Sequence, residues 1–336
     1  MMIKKIGLLC STLWLLTACD AAMPTAKIKY RSLFDIDGVF CAIKTNGVLS
    51  QDNRDDIAAG EPYGTGSTGS MLVMENGDNE ITLEVAAFNW FKPEITDAQQ
   101  KNRFQPDNYC TLKLIKLTGT QPEEISQLKV TIDAQGQPTA STSVVKPAYT
   151  AINRPITMQQ RQETALQPGF IPENYYSPEY YPEGMQVYQF TRIVNVNGLP
   201  EWPWVKATPY TDTPEQRQLL QQAYQELWQA FNQKDLSKIK QLYGLSMKAW
   251  AYSTDSDEEE IFTNGNFEER VNSPDFRMLP IDWSGYEVVI MNKGRMVKLI
   301  NKSEFGYSPI LFIREKKIFT YNPIFSLING RFVIVI

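Results

Sequence analysis

The sequence predicts two domains, an N-terminal all-β sandwich over residues 27–146 and a C-terminal α+β domain over residues 210–336 with two N-terminal helices packed on a curved antiparallel sheet. Three observations predict this. From Lys27 to Val145, short runs of β-type residues with alternating apolar positions are broken by turn residues, the pattern of half-buried antiparallel strands. At Thr213-Pro214-Glu215-Gln216 a helix start is written into the chain, and the apolar spacing changes to three and four. From Tyr286 onward the pattern is again strand-like, and Asn329-Gly330 marks a tight hairpin.

The first segment is of another kind. Met1, Met2, Ile3, Lys4 and Lys5 precede a largely apolar stretch from Ile6 to Leu16, followed by Thr17, Ala18 and Cys19. This is the order of an export signal: basic residues, a short apolar run and a small-residue processing site. A spanning helix needs about 20 apolar residues, and Asp20 interrupts the run before that, so residues 1–18 read as a signal peptide. Leu16-Thr17-Ala18-Cys19 resembles the lipobox of bacterial lipoproteins, whereas Cys10, behind Leu8 and Leu9, does not fit that pattern. The resemblance implies that Cys19 is acylated and becomes the first residue of the mature chain, with 19–26 as a tether. The alternative is an ordinary cleaved signal with a chance cysteine. Acyl chains contribute about 0.8 kcal/mol per buried CH₂ and stable anchoring needs more than one chain, which the three-chain modification of that family would supply. The expected location is the cell envelope, facing the periplasm and lipid-anchored to the inner or outer membrane. Asp20 resembles an inner-membrane retention signal and tilts the choice to the inner one.

The formal charge is −5, and the signal takes away lysines and no acids, so the body is more acidic still. An acidic body argues against nucleic acid or anionic lipid as the main partner and fits a basic one. The chain has no histidine, which removes Ser-His-Asp and Cys-His catalysis and His-ligated zinc. No pair of acids stands out, so no catalytic residue, metal site or cofactor is assigned, and an enzyme would have to work with carboxylates, Tyr or Lys. Of the four cysteines, Cys41 and Cys110 remain in the body. In an oxidising compartment they read as one disulfide, with two buried free thiols as the alternative. Val39, Cys41 and Ile43 share one strand face, as do Cys110, Leu112 and Leu114, which points both sulfurs inward.

Within the β region the expected strands are Val39 to Lys44, Ser70 to Glu75, Glu80 to Phe91, Tyr109 to Leu117, Gln127 to Asp133 and Thr139 to Val145, with a hairpin loop at Ala134-Gln135-Gly136-Gln137. Residues 147–209 are rich in proline and tyrosine and read as a connector packed along both domains, with one strand-like piece from Gln186 to Val196. In the last region Thr213 to Gln216 forms a capping box, and Leu220, Ala223, Tyr224, Leu227 and Phe231 make one apolar helix face. A second helix starts at Asp235 and stops at Gly244. Strands are expected at Tyr286 to Met291, Met296 to Ile300, Pro309 to Ile313, Ile318 to Ile328 and Arg331 to Ile336. The run through Trp228, Phe231, Asp235, Leu242 and Tyr243, with the terminal meander, resembles the nuclear-transport-factor-like (cystatin-like) family. That resemblance implies helices laid across a cone-shaped sheet around a pocket. Enzymes of that family often place a His with an Asp in the pocket, and the missing histidine leaves a binding domain as the reading.

Several motifs reduce to local structure. Gly64-Thr65-Gly66-Ser67-Thr68-Gly69 spells G-x-G-x-x-G, but a strand-like run follows it instead of a helix, so it reads as a flexible loop. Ser126-Gln127-Leu128-Lys129 spells the S-x-x-K of penicillin-recognising enzymes without their companion elements. Asp35-Ile36-Asp37-Gly38 hints at a calcium loop, yet Val39 and Asn46 fall at the fifth and twelfth positions, where an oxygen ligand and a bidentate Glu belong. With Asp52, Asp55 and Asp56 nearby, ordinary acidic turns are the reading, and a looser cation site is the alternative.

Two clusters are candidates for partner binding. Asp255, Asp257, Glu258, Glu259 and Glu260 form the densest run of charge, read either as a solvated loop or as a docking surface that steers a basic partner. Tyr175, Tyr176, Tyr180 and Tyr181 are either interdomain packing or aromatic anchors of an interface. Together these features lead to the expectation of a non-enzymatic envelope binding protein. In general plan it resembles the immunity lipoproteins of type VI secretion toxin pairs, which implies a secreted antibacterial toxin as partner. The other expectation is an accessory lipoprotein holding a small apolar ligand or a component of an envelope assembly machine.

Overall fold

A computed structural model describes residues 27–141, 153–162, 184–303 and 306–336. Its strands form four antiparallel sheets, and most of its helix lies in the C-terminal part.

The first sheet has the order β4-β1-β6-β7-β8, built from β1 (Ile28–Asp37), β4 (Tyr63–Thr68), β6 (Tyr109–Thr118), β7 (Gln121–Ile132) and β8 (Pro138–Ala140). The second has the order β3-β2-β5-β10-β9, from β2 (Val39–Thr45), β3 (Val48–Asp52), β5 (Gly77–Ala87), β9 (Thr157–Gln162) and β10 (Gln186–Val196). The chain passes from the first sheet to the second at Gly38, whose φ is +71°. Its carbonyl accepts from the Asn108 amide at 2.8 Å, and that amide fills the space a Cβ would occupy. Only glycine meets both demands. Inward residues of both sheets share one apolar cluster that includes Ile43, Leu83, Val85, Leu112, Leu128 and Val194. Cys41 of β2 and Cys110 of β6 are fully buried and form a disulfide across it. A cross-link closing a loop of that length stabilises a fold by about 4 kcal/mol on the chain-entropy argument.

Several elements differ from expectation. Ser70–Val73 is a buried one-turn 3₁₀ helix and not a strand, because the carbonyls of Met71 and Leu72 are taken by the indole N–H groups of Trp202 (2.9 Å) and Trp204 (3.0 Å). Gly64 to Thr68 is not a flexible loop but the edge strand β4, with Gly66 opposite Phe34 and the Phe34 ring lying where a Cβ of Gly66 would be. Ser126 to Lys129 lies inside β7. The segment read as a connector supplies two strands of the second sheet, with β10 hydrogen-bonded between β5 and β9.

Among the described residues of the C-terminal part there are five α-helices, not two: α3 (Pro214–Asn232), α4 (Leu236–Leu242), α5 (Gly244–Thr254), α6 (Glu258–Asn264) and α7 (Phe267–Val271). The N-terminal half adds two short ones, α1 (Arg54–Ala58) and α2 (Ala98–Lys101). Thr213 caps α3 by accepting from the Gln216 N–H at 3.3 Å, while the Gln216 side chain accepts from Thr211 N instead of closing the box on Thr213. Asp235 caps α4 as expected. Gly244 does not stop a helix; it begins α5, with a φ outside the left-handed region.

The single curved sheet is two sheets. One has the order β11-β14-β15, from β11 (Arg277–Met278), β14 (Ile310–Arg314) and β15 (Lys317–Tyr321). The other has the order β12-β13-β16-β17, from β12 (Tyr286–Met291), β13 (Met296–Asn301), β16 (Phe325–Ile328) and β17 (Arg331–Ile334). The expected strand from Ile318 to Ile328 breaks at Asn322-Pro323, where proline has no N–H to continue a ladder, and the chain changes sheets there. Asn329-Gly330 makes the expected hairpin, both residues at positive φ. α3 packs Leu220, Tyr224, Leu227 and Phe231 into a second apolar cluster with Leu299, Phe312 and Phe325.

Candidate functional site

α5 and α6 meet the turn between β15 and β16 around a cleft of about 330 Å³. Met247 and Trp250 come from α5, Ile261 and Asn264 from α6, and Pro323 and Ile336 from the opposite wall. Trp250 is 36% exposed, one of the few large apolar side chains open to solvent among the described residues. Its position is fixed from behind. The Trp250 carbonyl accepts from the Ser253 and Thr254 hydroxyls at 2.9 Å each, which ends α5 in hydrogen bonds before Asp255 turns the chain at φ +57°.

The acidic run divides on this frame into residues the protein uses and residues it leaves open. The Asp255 carboxylate binds the ammonium groups of Lys27 (3.3 Å) and Lys29 at the start of β1, and first the Lys29 hydrogen bond, then that of Lys27, holds its pKa below the usual range. Lys27 also lies 5.0 Å from the Tyr252 ring centre. Asp257 is the N-cap of α6, accepting from Glu260 N–H at 2.8 Å. Glu258, Glu259 and Glu260 are therefore not a solvated loop but the first turn of a helix, where the positive end of the helix dipole favours them. Glu259 pairs with Lys240 of α4. Among the described residues no ion pair takes up Glu258 or Glu260. Glu258 lies one turn before Ile261 and Glu260 one turn before Asn264, so their Cβ atoms stand about 5–6 Å from those of two residues that line the cleft. The cleft has a largely apolar floor, and the two acids begin the helix that forms one of its walls.

The hydroxyls around the cleft stay protonated. Burial pushes the Tyr321 phenol up to about 12 and raises that of Tyr243 further, so at neutral pH both are donors and not bases. Tyr321 donates to the Gly265 carbonyl at 3.2 Å. Among the described residues, no group of three His, Cys, Asp or Glu gathers in a way that could hold a metal ion. Asp35 accepts from the Tyr109 hydroxyl at 3.0 Å and Asp52 pairs with Arg54 at 2.6 Å, so these acids have partners within the fold.

Two other hollows lie among the described residues. One of about 370 Å³ lies between α3 and α4 on one side and β16 and β17 on the other, lined by Leu227, Leu242, Phe325 and Phe332 with the Glu226–Lys238 ion pair (2.7 Å) and Arg331 among its polar residues. Another of about 250 Å³ sits at the Gly38 end of β1, among Tyr63, Phe88, Lys92, Arg103 and Asn108.

No family model fits this chain, and no curated protein or solved structure is significantly similar to it.

The site therefore rests on its own side chains. Asp255 to Glu260 are brought together at one end of α5 and α6, while Cys41 and Cys110 lie in the core far along the sequence from them. Cys19, Tyr175, Tyr176, Tyr180 and Tyr181 lie outside the described residues. Among the described residues, no helix is long and apolar enough to cross a membrane. Trp250 was not singled out from the sequence because α5 carries no one-sided apolar stripe. Ala249 packs into the first apolar cluster and Met247 into the second, so the helix is covered from two directions and its pattern is blurred. The tryptophan in Ala249-Trp250-Ala251, flanked by small buried residues, was the available signal.

Proposed function

We propose that this chain is a lipid-anchored envelope protein that works by binding, most specifically an immunity protein that occludes a secreted antibacterial toxin. The observation that carries the reading is the cleft between α5 and α6: an open tryptophan on an apolar floor, one of whose walls is the helix that begins with Glu258 and Glu260, two acids for which no ion pair is found among the described residues. An exposed aromatic with charge at its rim is the composition of an interface anchor. The finer fold reading supports this function. It divides the chain into an N-terminal sandwich and a C-terminal α+β domain like the nuclear-transport-factor-like family. The packing of α3 against β11, β14 and β17 favours that division. Anchoring through Cys19 is proposed on the lipobox-like run alone. A second reading, an accessory lipoprotein holding a small apolar ligand, is favoured by the hollow between α3, α4 and the β16–β17 hairpin.

The test is competition between kin. Deleting the gene from a strain mixed with toxin-secreting siblings is expected to make it sensitive to killing, with protection restored by the wild-type chain. Unchanged survival of the deletion strain overturns the immunity reading. Labelled palmitate entering the wild-type chain but not Cys19→Ser checks the anchor separately.

A further inference from the structure

We infer that the cleft between α5 and α6 is the docking site itself, and that its occupant is a cationic amphipathic segment of a protein partner, with an apolar side chain seated on Trp250 and Lys or Arg residues paired with Glu258 and Glu260. This deepens the binding reading above and rests on it.

Shape and chemistry of the cleft lead to this occupant. Its floor is apolar: Met247, Trp250, Ile261, Phe267 and Pro323 line a groove of about 330 Å³, enough for one or two large side chains and too small for a folded lobe. Covering an open indole removes apolar area from water, and tryptophan is the residue most enriched among energetic anchors. Charge then selects among segments able to fill the groove. The acids of the run that serve the fold are already neutralised or capping, since Asp255 holds Lys27 and Lys29, Asp257 holds the Glu260 N–H, and Glu259 holds Lys240. Glu258 and Glu260 stay unpaired one turn from the lining residues, so an acidic or neutral segment would leave them facing like charge or apolar surface. A segment with cations one turn from its apolar anchor gives each carboxylate a partner. The same separation of three and four residues sets apolar and charged positions side by side on an amphipathic helix. Asn264 adds a neutral polar group at the mouth.

The probe is a short synthetic amphipathic helix of leucine and lysine, with a leucine–glutamate helix of the same pattern as its control. Full-length protein in phosphatidylcholine nanodiscs is titrated with each, and empty nanodiscs serve as the blank. The leucine–lysine helix is expected to bind, more weakly as salt is raised, and the leucine–glutamate helix not to bind. Both Trp250→Ala and the double change Glu258→Lys with Glu260→Lys are expected to weaken binding by at least about tenfold, the cost typical of an interface anchor. Lys at the first turn of α6 opposes the helix dipole and Trp250 is only 36% exposed, so each variant is titrated at a temperature below its own melting transition, and the neutral pair Glu258→Gln with Glu260→Gln, expected to weaken binding in the same direction, remains a fair test if the charge reversal or Trp250→Ala does not fold. Wild-type affinity in both variants, or equal binding of the two helices, overturns the proposal. Loss in Trp250→Ala with no change in the charge variant overturns the cationic occupant. The kin-competition assay reports on immunity independently: a deletion strain that survives while the leucine–lysine helix binds sinks immunity and leaves the groove, and the converse sinks the groove alone.

Discussion

At the scale of single residues, the most constrained charge is Glu75, between the N-terminal sheets and the C-terminal part. Both its oxygens accept from the Arg295 guanidinium, at 2.8 and 2.6 Å, and Lys293 donates to one of them at 2.6 Å. Arg295 lies 5.3 Å from the Trp204 ring centre and also donates to the Val205 carbonyl. The Arg295 hydrogen bonds, with those of Lys293, lower the Glu75 pKa from its ordinary 4.5 to about 2 against the opposing effect of burial. The sign follows from linkage: a carboxyl whose pKa falls on folding stabilises the fold fully above its unfolded value, and that contribution is lost as pH falls toward the folded one. Wild-type stability should therefore drop between about pH 4.5 and pH 2 through this group. Glu75→Gln should lack that component and, at pH 7, should be less stable by about 2 kcal/mol, the scale of charge-assisted bonds left unmade. Urea denaturation of both chains at pH 7 and across the acid range measures this. A variant as stable as wild type at pH 7 would show that the clamp contributes nothing.

At the scale of elements, what was legible in the sequence is what is decided locally. The capped starts of α3 and α4, the Asn329-Gly330 hairpin, the strand Gln186–Val196 and the inward-facing Cys41 and Cys110 were each signalled within a few residues. Elements decided by distant partners were not legible. Met71 to Met74 reads as a strand until Trp202 and Trp204, more than a hundred residues away, take its carbonyls. β4 reads as a loop until Phe34 covers Gly66. The candidate site divides the same way: the acids that begin α6 stood out as a run of charge, whereas the cleft floor depends on α5, whose two-sided burial hides it. The local signals carry measurable weight. Thr213→Ala removes the hydroxyl that accepts from Gln216 N–H at the first turn of α3. Losing such a cap should cost about 1 kcal/mol in chemical denaturation with an unchanged denaturant slope. No loss would mean that the second arm, Gln216 to Thr211, holds the helix start alone.

At the scale of the whole molecule, the two apolar clusters are joined by polar bonds as well as by packing. The Asn292 amide donates to the Val73 carbonyl at 2.9 Å, as the Asn46 amide does at 2.7 Å, and Glu75 binds Arg295 beside them. The first cluster takes in Ala249, Met291, Met296, Ile324 and Val335 from the C-terminal part. The start of β1 is fixed in this frame, because Lys27 and Lys29 bind Asp255, about 8 Å along the helix axis from Trp250. From there β1 runs ten residues to Gly38, about 33 Å at the rise of a strand, and ends at the hollow lined by Tyr63, Lys92 and Arg103. Under the proposed anchoring at Cys19, the tether to Lys27 spans at most about 28 Å. The cleft between α5 and α6 then stands at the membrane-proximal end and the Lys92–Arg103 hollow at the distal one. With Cys41 and Cys110 closed in a disulfide, a dye can be placed at Ser256→Cys or at Gln105→Cys in the lipidated protein on vesicles carrying a lipid-bound quencher. Quenching should be stronger at position 256 than at 105. Equal or reversed quenching would mean that the body lies on its side or inverted, and that a partner reaches the cleft from the open compartment instead of along the bilayer.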